Sequence, residues 1–283
     1  MVYTCFTLET DGPTAHLKLN RPEKLNSMIP EFWAELPEAV GAVEKMSAAR
    51  VLVISSTGKH FSAGMDLSVF QTEDLIATDT AAERECLRRL ILVLQETFNR
   101  LERCRVPVIA AIQGGCIGAA LDMAAACDIR YCTESAYFVI QEINLAMMAD
   151  LGSLQRLPRL IPEGIVRELA FTGDKLDARR AQQLGLVNSV FKSQPEMLEA
   201  AIALAKRISE RAPLAVSASK EALNYLRDHG VADGLHYAAS LQAAIFDRAQ
   251  VVESYNAQKE KRAPQFANLA PARTSLVTAK QDE

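Results

Sequence analysis

Two apolar runs, each emptying into a glycine-bearing loop, constrain this chain more than any other feature. "RVLVISS" (50–56) leads into "TGKHFSAGMDL", and "VPVIAAI" (106–112) leads into "QGGCIGAALD". Short β-branched runs of this kind suit strands buried on both faces, and therefore a sheet covered by helices. Gly64 permits a sharp turn that directs the Met65 N–H away from the sheet. The glycines of the second loop open a helix whose first N–H groups, including that of Ala119, have no partner within the helix. Such donors carry partial positive charge suited to a developing oxyanion. Taken singly, each loop also reads as an ordinary strand-to-helix turn.

The remaining pattern is that of an α/β chain. "AHLKLNRP" alternates as a half-buried strand and stops at Pro22, and helical spacing follows from Ile29 to Met46. Residues 71–103 read as a charged helix with apolar positions at Leu87, Leu90, Ile91, Leu94 and Phe98. "DIRYCT" and "YFVI" read as strands, and "LDARRAQQLGLVNSVF" as a helix, a stop at Gly185 and a strand. From Met197 to Glu260 the period is helical throughout, and the Pro/Ala/Ser-rich end reads as a mobile tail. These signals predict a core over 1–196, a helical assembly region over 197–266 and a tail over 267–283.

Several function classes are disfavoured. A net charge of −4 suits neither nucleic acid nor an anionic membrane as partner. No run of about 18 apolar residues suggests a membrane span. The six cysteines form no CxxC pair and His16, His60, His229 and His236 are scattered, so neither a metal site nor a His-based triad is expected. Reduced thiols and the lack of a leader-like start predict a cytoplasmic protein. A dinucleotide fingerprint fails in both registers: Gly114, Cys116 and Ala119, or Gly115, Ile117 and Ala120, occupy its glycine positions.

Three carboxylates stand among apolar neighbours. Asp122 is the single charged residue between Ile117 and Cys127, Glu142 lies in "VIQEINL", and Asp150 ends "LAMMAD". Carboxyls sharing an apolar pocket have their pKa values pushed apart, so that one serves as acid while another serves as base. Each alone also fits a capping or ion-paired role. Asp128 reads as structural, paired with an arginine or with backbone N–H groups.

"LNRPEKLNSM", "GKHFSAGMDL", "VPVIAAIQGGCIGAALDMAAACDIRYC", "LGSLQRLPRLI" and "FTGDKLDARRAQQLGLVNSVF" together resemble the crotonase, or enoyl-CoA hydratase/isomerase, superfamily, over roughly residues 3–266. The resemblance implies a crotonase-type ββα spiral core with a C-terminal helical trimerisation region, assembled as a homotrimer or hexamer. It implies an oxyanion hole for an acyl-CoA thioester, built from the N–H groups of Met65 and Ala119, where the family usually has Gly at the second position. Coenzyme A is then part of the substrate, with no separate cofactor and no metal. Its implied contacts are Lys24, Ser62, Ala63, Gly64, Asp66 and Gly118. Phe266 and the basic "KEKR" (259–262) would join them from the same or a neighbouring subunit.

Hydratases of the family usually carry Glu where Asp122 and Glu142 stand, and a small residue at 150. The combination of "LDMAAACDIRYC", "QEINLAMMADLGSLQRLP" and "RDHG" is instead similar to the dienoyl-CoA isomerase branch. That likeness implies proton transfer by Glu142 at C2 and Asp150 at C6, or the reverse, with Asp122 in the same site. Met147, Met148 and the 71–100 region are expected to shape an adaptable acyl pocket. The alternatives are a 2-enoyl-CoA hydratase using Asp122 and Glu142, and a non-catalytic acyl-CoA-binding homologue.

Overall fold

The computed structural model describes residues 2–71 and 77–272. Among these residues six strands form the main sheet: β1 (Phe6–Asp11), β2 (Thr14–Leu19), β3 (Val51–Ser56), β4 (Val108–Ile112), β6 (Ile129–Thr133) and β9 (Ser189–Phe191), in that spatial order. β1 and β2 make an antiparallel hairpin, and every later neighbour is parallel. A second sheet joins β5 (Gly115–Ile117) and β7 (Tyr137–Val139) in parallel, with β8 (Leu176–Asp177) antiparallel to β7.

β3 is buried at all six positions, as a strand covered on both faces must be. Its side chains alternate between two cores. Leu52 and Ile54 join β4 residues Val108, Ala110 and Ile112 against Phe32, Leu36 and Val40 of α1 (Pro30–Lys45) and Phe98 and Leu101 of α2 (Ala81–Arg103). Val51, Val53, Ile109 and Ala111 face the other way, against Met197, Ala201 and Ala205 of α7 (Gln194–Ser209). The two-residue period of a strand is thus read out as two apolar layers.

Between the strands lie α3 (Ala119–Ala125), α4 (Ser153–Leu160), α5 (Glu163–Thr172) and α6 (Ala178–Leu184), and α8 (Pro213–Asp228), α9 (Val231–Ile245) and α10 (Arg248–Glu260) follow α7. A boundary at 196 therefore divides a helix that belongs to the core. α7 looks like its successors in sequence because the helical period runs on from Met197 to Glu260; only the sheet beneath it marks it as core. α8 is tethered by Lys220, whose buried ammonium donates to Leu101 O (3.1 Å), Val106 O (3.2 Å) and Asp128 Oδ2 (2.7 Å). Asp128 Oδ2 also accepts from the Val108 N–H at 2.7 Å. Its expected backbone partner is present, and its cation is a lysine rather than an arginine.

Residues 267–272 differ from the tail reading. Leu269 is buried, Arg105 Nη1 donates to Ala270 O, and the Ala272 N–H donates to Glu44 O. Main-chain bonds of this kind leave no mark in a Pro/Ala-rich composition. The rest of the expected tail, 273–283, lies outside the described residues. Among the described residues no helix is long and apolar enough to cross a membrane.

Candidate active site

The site follows from strand pairing. β3 and β4 are parallel neighbours, with Leu52 opposite Val108 and Ile54 opposite Ala110, so the loops leaving their C-terminal ends emerge side by side. The loops then zip together. Phe61 N donates to Gln113 O (2.7 Å), Ser62 N to Gly115 O (3.1 Å) and Ile117 N to Ser62 O (3.2 Å). Asn26, buried and in the left-handed region, braces the first loop by donating from Nδ2 to Thr57 O (2.8 Å) and His60 O (3.1 Å).

Two backbone donors face out of this junction. Met65 pairs with Met28 in a single parallel bridge, in which Met28 N donates to Gly64 O (2.8 Å) and Asp66 N to Met28 O (3.0 Å). That pattern turns the Met65 N–H to the other side. Ala119 opens α3, where an N–H has no acceptor one turn earlier. Neither N–H donates to an acceptor among the described residues. Gly64, at φ +81°, makes the approach possible: a Cβ there would fall 2.4 Å from Ile117 O and 3.1 Å from Ala119 N. No side chain fits between the two donors.

The second sheet repeats the device. β5 and β7 are parallel with Ile117 opposite Val139, so the chain after each strand arrives at one place. After β5 come Gly118 and α3; after β7 comes Glu142, at the start of a short 3-10 turn. Gly118 N donates to Val139 O at 2.9 Å, and a Cβ on Gly118 would stand 3.2 Å from Glu142 Oε1. Glu142 therefore borders the residue next to the Ala119 donor.

Asp122 lies in the first turn of α3 and is fully buried. Its Oδ1 accepts from the Ser153 N–H at 2.5 Å, which ties α3 to the N-terminus of α4. Its Oδ2 is buried with no hydrogen-bond partner among the described residues. Burial pushes the carboxyl up to about 6, against the pull of Ser153 and Arg156. Glu142 is pushed up to about 7, by burial and then by the charges of Asp122 and Asp150. Asp150 stands three residues before Ser153 and is raised by burial, and its main-chain carbonyl is held by Gln95 Nε2 of α2 at 2.7 Å. It lines a polar cleft of about 570 Å³ with Gln95, Asn99, Arg156, Arg159 and Arg227. The charge of Asp150 thus raises both Asp122 and Glu142, and of the three carboxyls it is Glu142 that borders the donor loop directly.

The expected substrate contacts divide. Ser62, Ala63, Gly64, Asp66 and Gly118 lie in the two zipped loops. Lys24 is exposed next to them, since the following carbonyl, Leu25 O, accepts from the Ala63 N–H at 3.0 Å. Asp66 has its carboxylate engaged, accepting from Ser68 Oγ (2.6 Å) and Ser27 Oγ (2.7 Å), and is held at about 2 by those bonds. Met147 and Met148 are exposed on the turn after Glu142, as are Leu92 and Val93 on α2.

Phe266 is placed elsewhere. Its carbonyl accepts from Arg50 Nη2 at 2.9 Å, and Arg50 immediately precedes β3. Six strand residues at about 3.3 Å each put that end about 20 Å from the oxyanion loops, so Phe266 of the same chain does not reach this site. Of the basic cluster, Arg262 is engaged by Glu253 and Glu260.

Ser153, Arg156, Gln95 and Met28 escaped the sequence reading. Their roles run through backbone bonds and long-range packing, which no local pattern records. The quoted motifs "LNRPEKLNSM" and "LGSLQRLP" contain Asn26, Met28, Ser153 and Arg156, but only as letters in a match.

The enoyl-CoA hydratase/isomerase family model matches residues 9–269. The mitochondrial Δ(3,5)-Δ(2,4)-dienoyl-CoA isomerase of Homo sapiens is 44% identical over 250 residues, 87% of this chain and 76% of that protein. The peroxisomal enzyme of the same name from Arabidopsis thaliana is 40% identical over 263 residues, 92% of this chain and 95% of that protein. Among solved structures, an enoyl-CoA hydratase from Bacillus anthracis superposes with a TM-score of 0.85 at 28% identity, covering 93% of this chain and 99% of that one. The cytoplasmic expectation is corrected by these relatives, which are named as mitochondrial or peroxisomal. Mild charge and unpaired thiols do not separate one reducing compartment from another.

Proposed function

Since the chain belongs to the enoyl-CoA hydratase/isomerase family and carries the crotonase fold, we propose that it isomerises a 3,5-dienoyl-CoA thioester to the 2,4-dienoyl form. The observation that supports this reading is the third carboxyl: the charge of Asp150 is felt by both Asp122 and Glu142, and Glu142 borders the residue before the free Ala119 N–H. A hydratase needs two carboxyls to add water. Moving a proton from C2 to C6 needs a base and an acid set apart along an extended acyl chain, and a third carboxyl meets that need.

In the proposed sequence the thioester carbonyl sits between the N–H groups of Met65 and Ala119. Glu142, which borders Gly118 and so the carbonyl end, takes the proton from C2. A base near 7 is matched to neutral pH. The C–H electron pair becomes the C2=C3 double bond, the C3=C4 pair moves to C4=C5, and the C5=C6 pair takes a proton at C6 from Asp150. Charge that builds on the thioester oxygen is stabilised by the two N–H groups, already oriented, and one such donor is worth about 10²–10³ in rate. Coenzyme A enters as part of the substrate.

Copies of this chain are proposed to assemble as trimers or hexamers through the C-terminal helices. α9 buries none of its side chains, and Leu223, Val231, Leu235 and Phe246 stand exposed on α8, α9 and the residue after it. Sedimentation would report the stoichiometry. For the chemistry, Asp150→Asn tests the assignment: isomerisation falls at least 100-fold while acyl-CoA affinity changes little. Unchanged turnover in that variant would remove Asp150 from the reaction.

A further inference from the structure

Arg156 has no place in the proton transfers just described, yet its surroundings are built around it. It lies on α4, one turn after Ser153, whose N–H grips Asp122. Its guanidinium occupies the space a side chain at 152 would need: a Cβ on Gly152 would fall 1.8 Å from Nη1. Gly152, at φ +136°, leaves that space open. Arg156 Nη2 donates to Asn99 Oδ1 (2.6 Å) and to Glu102 Oε2 (2.8 Å), and Nη1 reaches Leu151 O (3.4 Å). It therefore clamps the Leu151–Gly152–Ser153 turn, which carries Asp150 on one side and holds Asp122 on the other. Both partners of the Arg156–Glu102 pair are largely buried, at 11% and 15% side-chain exposure. Glu102 is shared with Arg227 of α8, which also pairs with Asp228 at 2.9 Å.

We infer that Arg156 is a positioning residue for the carboxylate set: through Asp122 it decides which of Asp122 and Glu142 holds the proton. Among the described residues, the charged and titratable groups facing Asp122 are Glu142 after β7, Asp150 before α4, Arg156 on α4 and the Cys116 thiol on β5. Arg156 is the cation among them, and its field favours ionised Asp122. Ionised Asp122 in turn keeps Glu142 high, because like charges in a dry site cannot both form cheaply. The strength of that field depends on Glu102, which partly neutralises Arg156, and on Arg227, which competes for Glu102. α2, α4 and α8 thus meet behind the site in one ion chain, and a change at the end of α8 is felt at Asp122.

A clamp without this electrostatic role would loosen the turn but give no reason for Asp122 and Glu142 to move in opposite directions, or for Glu102→Gln to reverse the shift. The inferred role predicts movement of two carboxyls in opposite directions. In Arg156→Gln the Asp122 step, near 6, moves up by about 1 pH unit, and the Glu142 step, near 7, moves down as it loses a charged neighbour. In Glu102→Gln the shift reverses, and Asp122 moves below its original value. Arg156→Lys keeps the charge and restores both steps toward the original pair.

The experiment is a carboxyl ¹³C NMR titration of the full chain, with signals assigned by Asp122→Asn and Glu142→Gln. It needs no turnover, so it stands whether or not the dienoyl-CoA reading does. A kinetic arm rests on that reading: in Arg156→Gln the acid limb of kcat/KM for isomerisation follows Glu142 to lower pH. Opposite shifts in the two variants support the inference. Unmoved carboxyls in folded Arg156→Gln, or shifts in the same direction, overturn it. Should Arg156→Gln fail to fold, an Asp122 step in Glu102→Gln that stays in place or rises overturns it equally.

Discussion

Gly64 and Ile117 come so close that a Cβ on the glycine would lie 2.4 Å from the isoleucine carbonyl oxygen. This contact joins the loop after β3 to the loop after β4, and the two free N–H donors stand on either side of it. Their spacing is thus built into the backbone.

Gly64→Ala should displace one donor without unfolding the sheet. Its positive φ adds strain to the clash. Loss of one oxyanion donor predicts turnover slower by a factor of about 10²–10³, with the circular dichroism spectrum preserved. Near-normal turnover in a folded Gly64→Ala would exclude the Met65 N–H from the reaction.

Asp122 couples stability to pH. Its folded value of about 6 lies above the ordinary 3.8, so the folded state holds a proton that the unfolded state has released. Stability is therefore highest below about pH 4 for this group and falls as pH rises through 6. The loss amounts to about 3 kcal/mol as an upper figure. Glu142, at about 7 against 4.5, adds a loss of the same sign over a slightly higher window. Urea unfolding at pH 5 and pH 8 should show a smaller difference in Asp122→Asn than in the original chain. An equal difference would mean that Asp122 does not titrate in this window.

Lys220 holds α8 to the core through three acceptors, two of them main-chain carbonyls at the end of α2 and before β4. Lys220→Met leaves the half-buried Asp128 without its cation, at a cost of about 3 kcal/mol. The midpoint of urea unfolding should fall accordingly, while Asp128→Asn together with Lys220→Met should cost less than the sum of the single changes. Strict additivity would show that the pair does not act as a unit.

Ala119→Gly leaves its N–H in place and removes a methyl group beside the donor. A larger acyl-thioester surface then fits the hole, and the expected result is a lower KM with kcat within about threefold, since the transition-state donor is retained. Turnover reduced by two orders of magnitude would show that the alanine orients the donor.

How much of this could be read in advance depended on the range of each interaction. β3, β4 and α3 were legible because their burial is written as local runs and glycine punctuation. Asp122 was legible because one charge stands in a dry helix. The pairing of β5 with β7, which brings Glu142 beside Gly118, was not: both strands are three residues long, and one hides inside a glycine loop. α7 could not be told from α8 by pattern, since only the sheet face beneath it differs. Phe266 was expected near coenzyme A, from the same or a neighbouring subunit, on likeness alone; within one chain the Arg50 guanidinium donates to its carbonyl and holds it at the far end of β3. Arg156 was invisible because a guanidinium in a salt bridge leaves no periodic trace.

The most direct test is to mix the protein with a 3,5-dienoyl-CoA and follow the ultraviolet band of the conjugated 2,4-dienoyl thioester, with trans-2-enoyl-CoA hydration measured in parallel. Three carboxyls acting as proposed predict growth of that band with little or no hydration. Hydration without isomerisation would contradict the account, leaving Asp150 structural and Asp122 with Glu142 as the working pair.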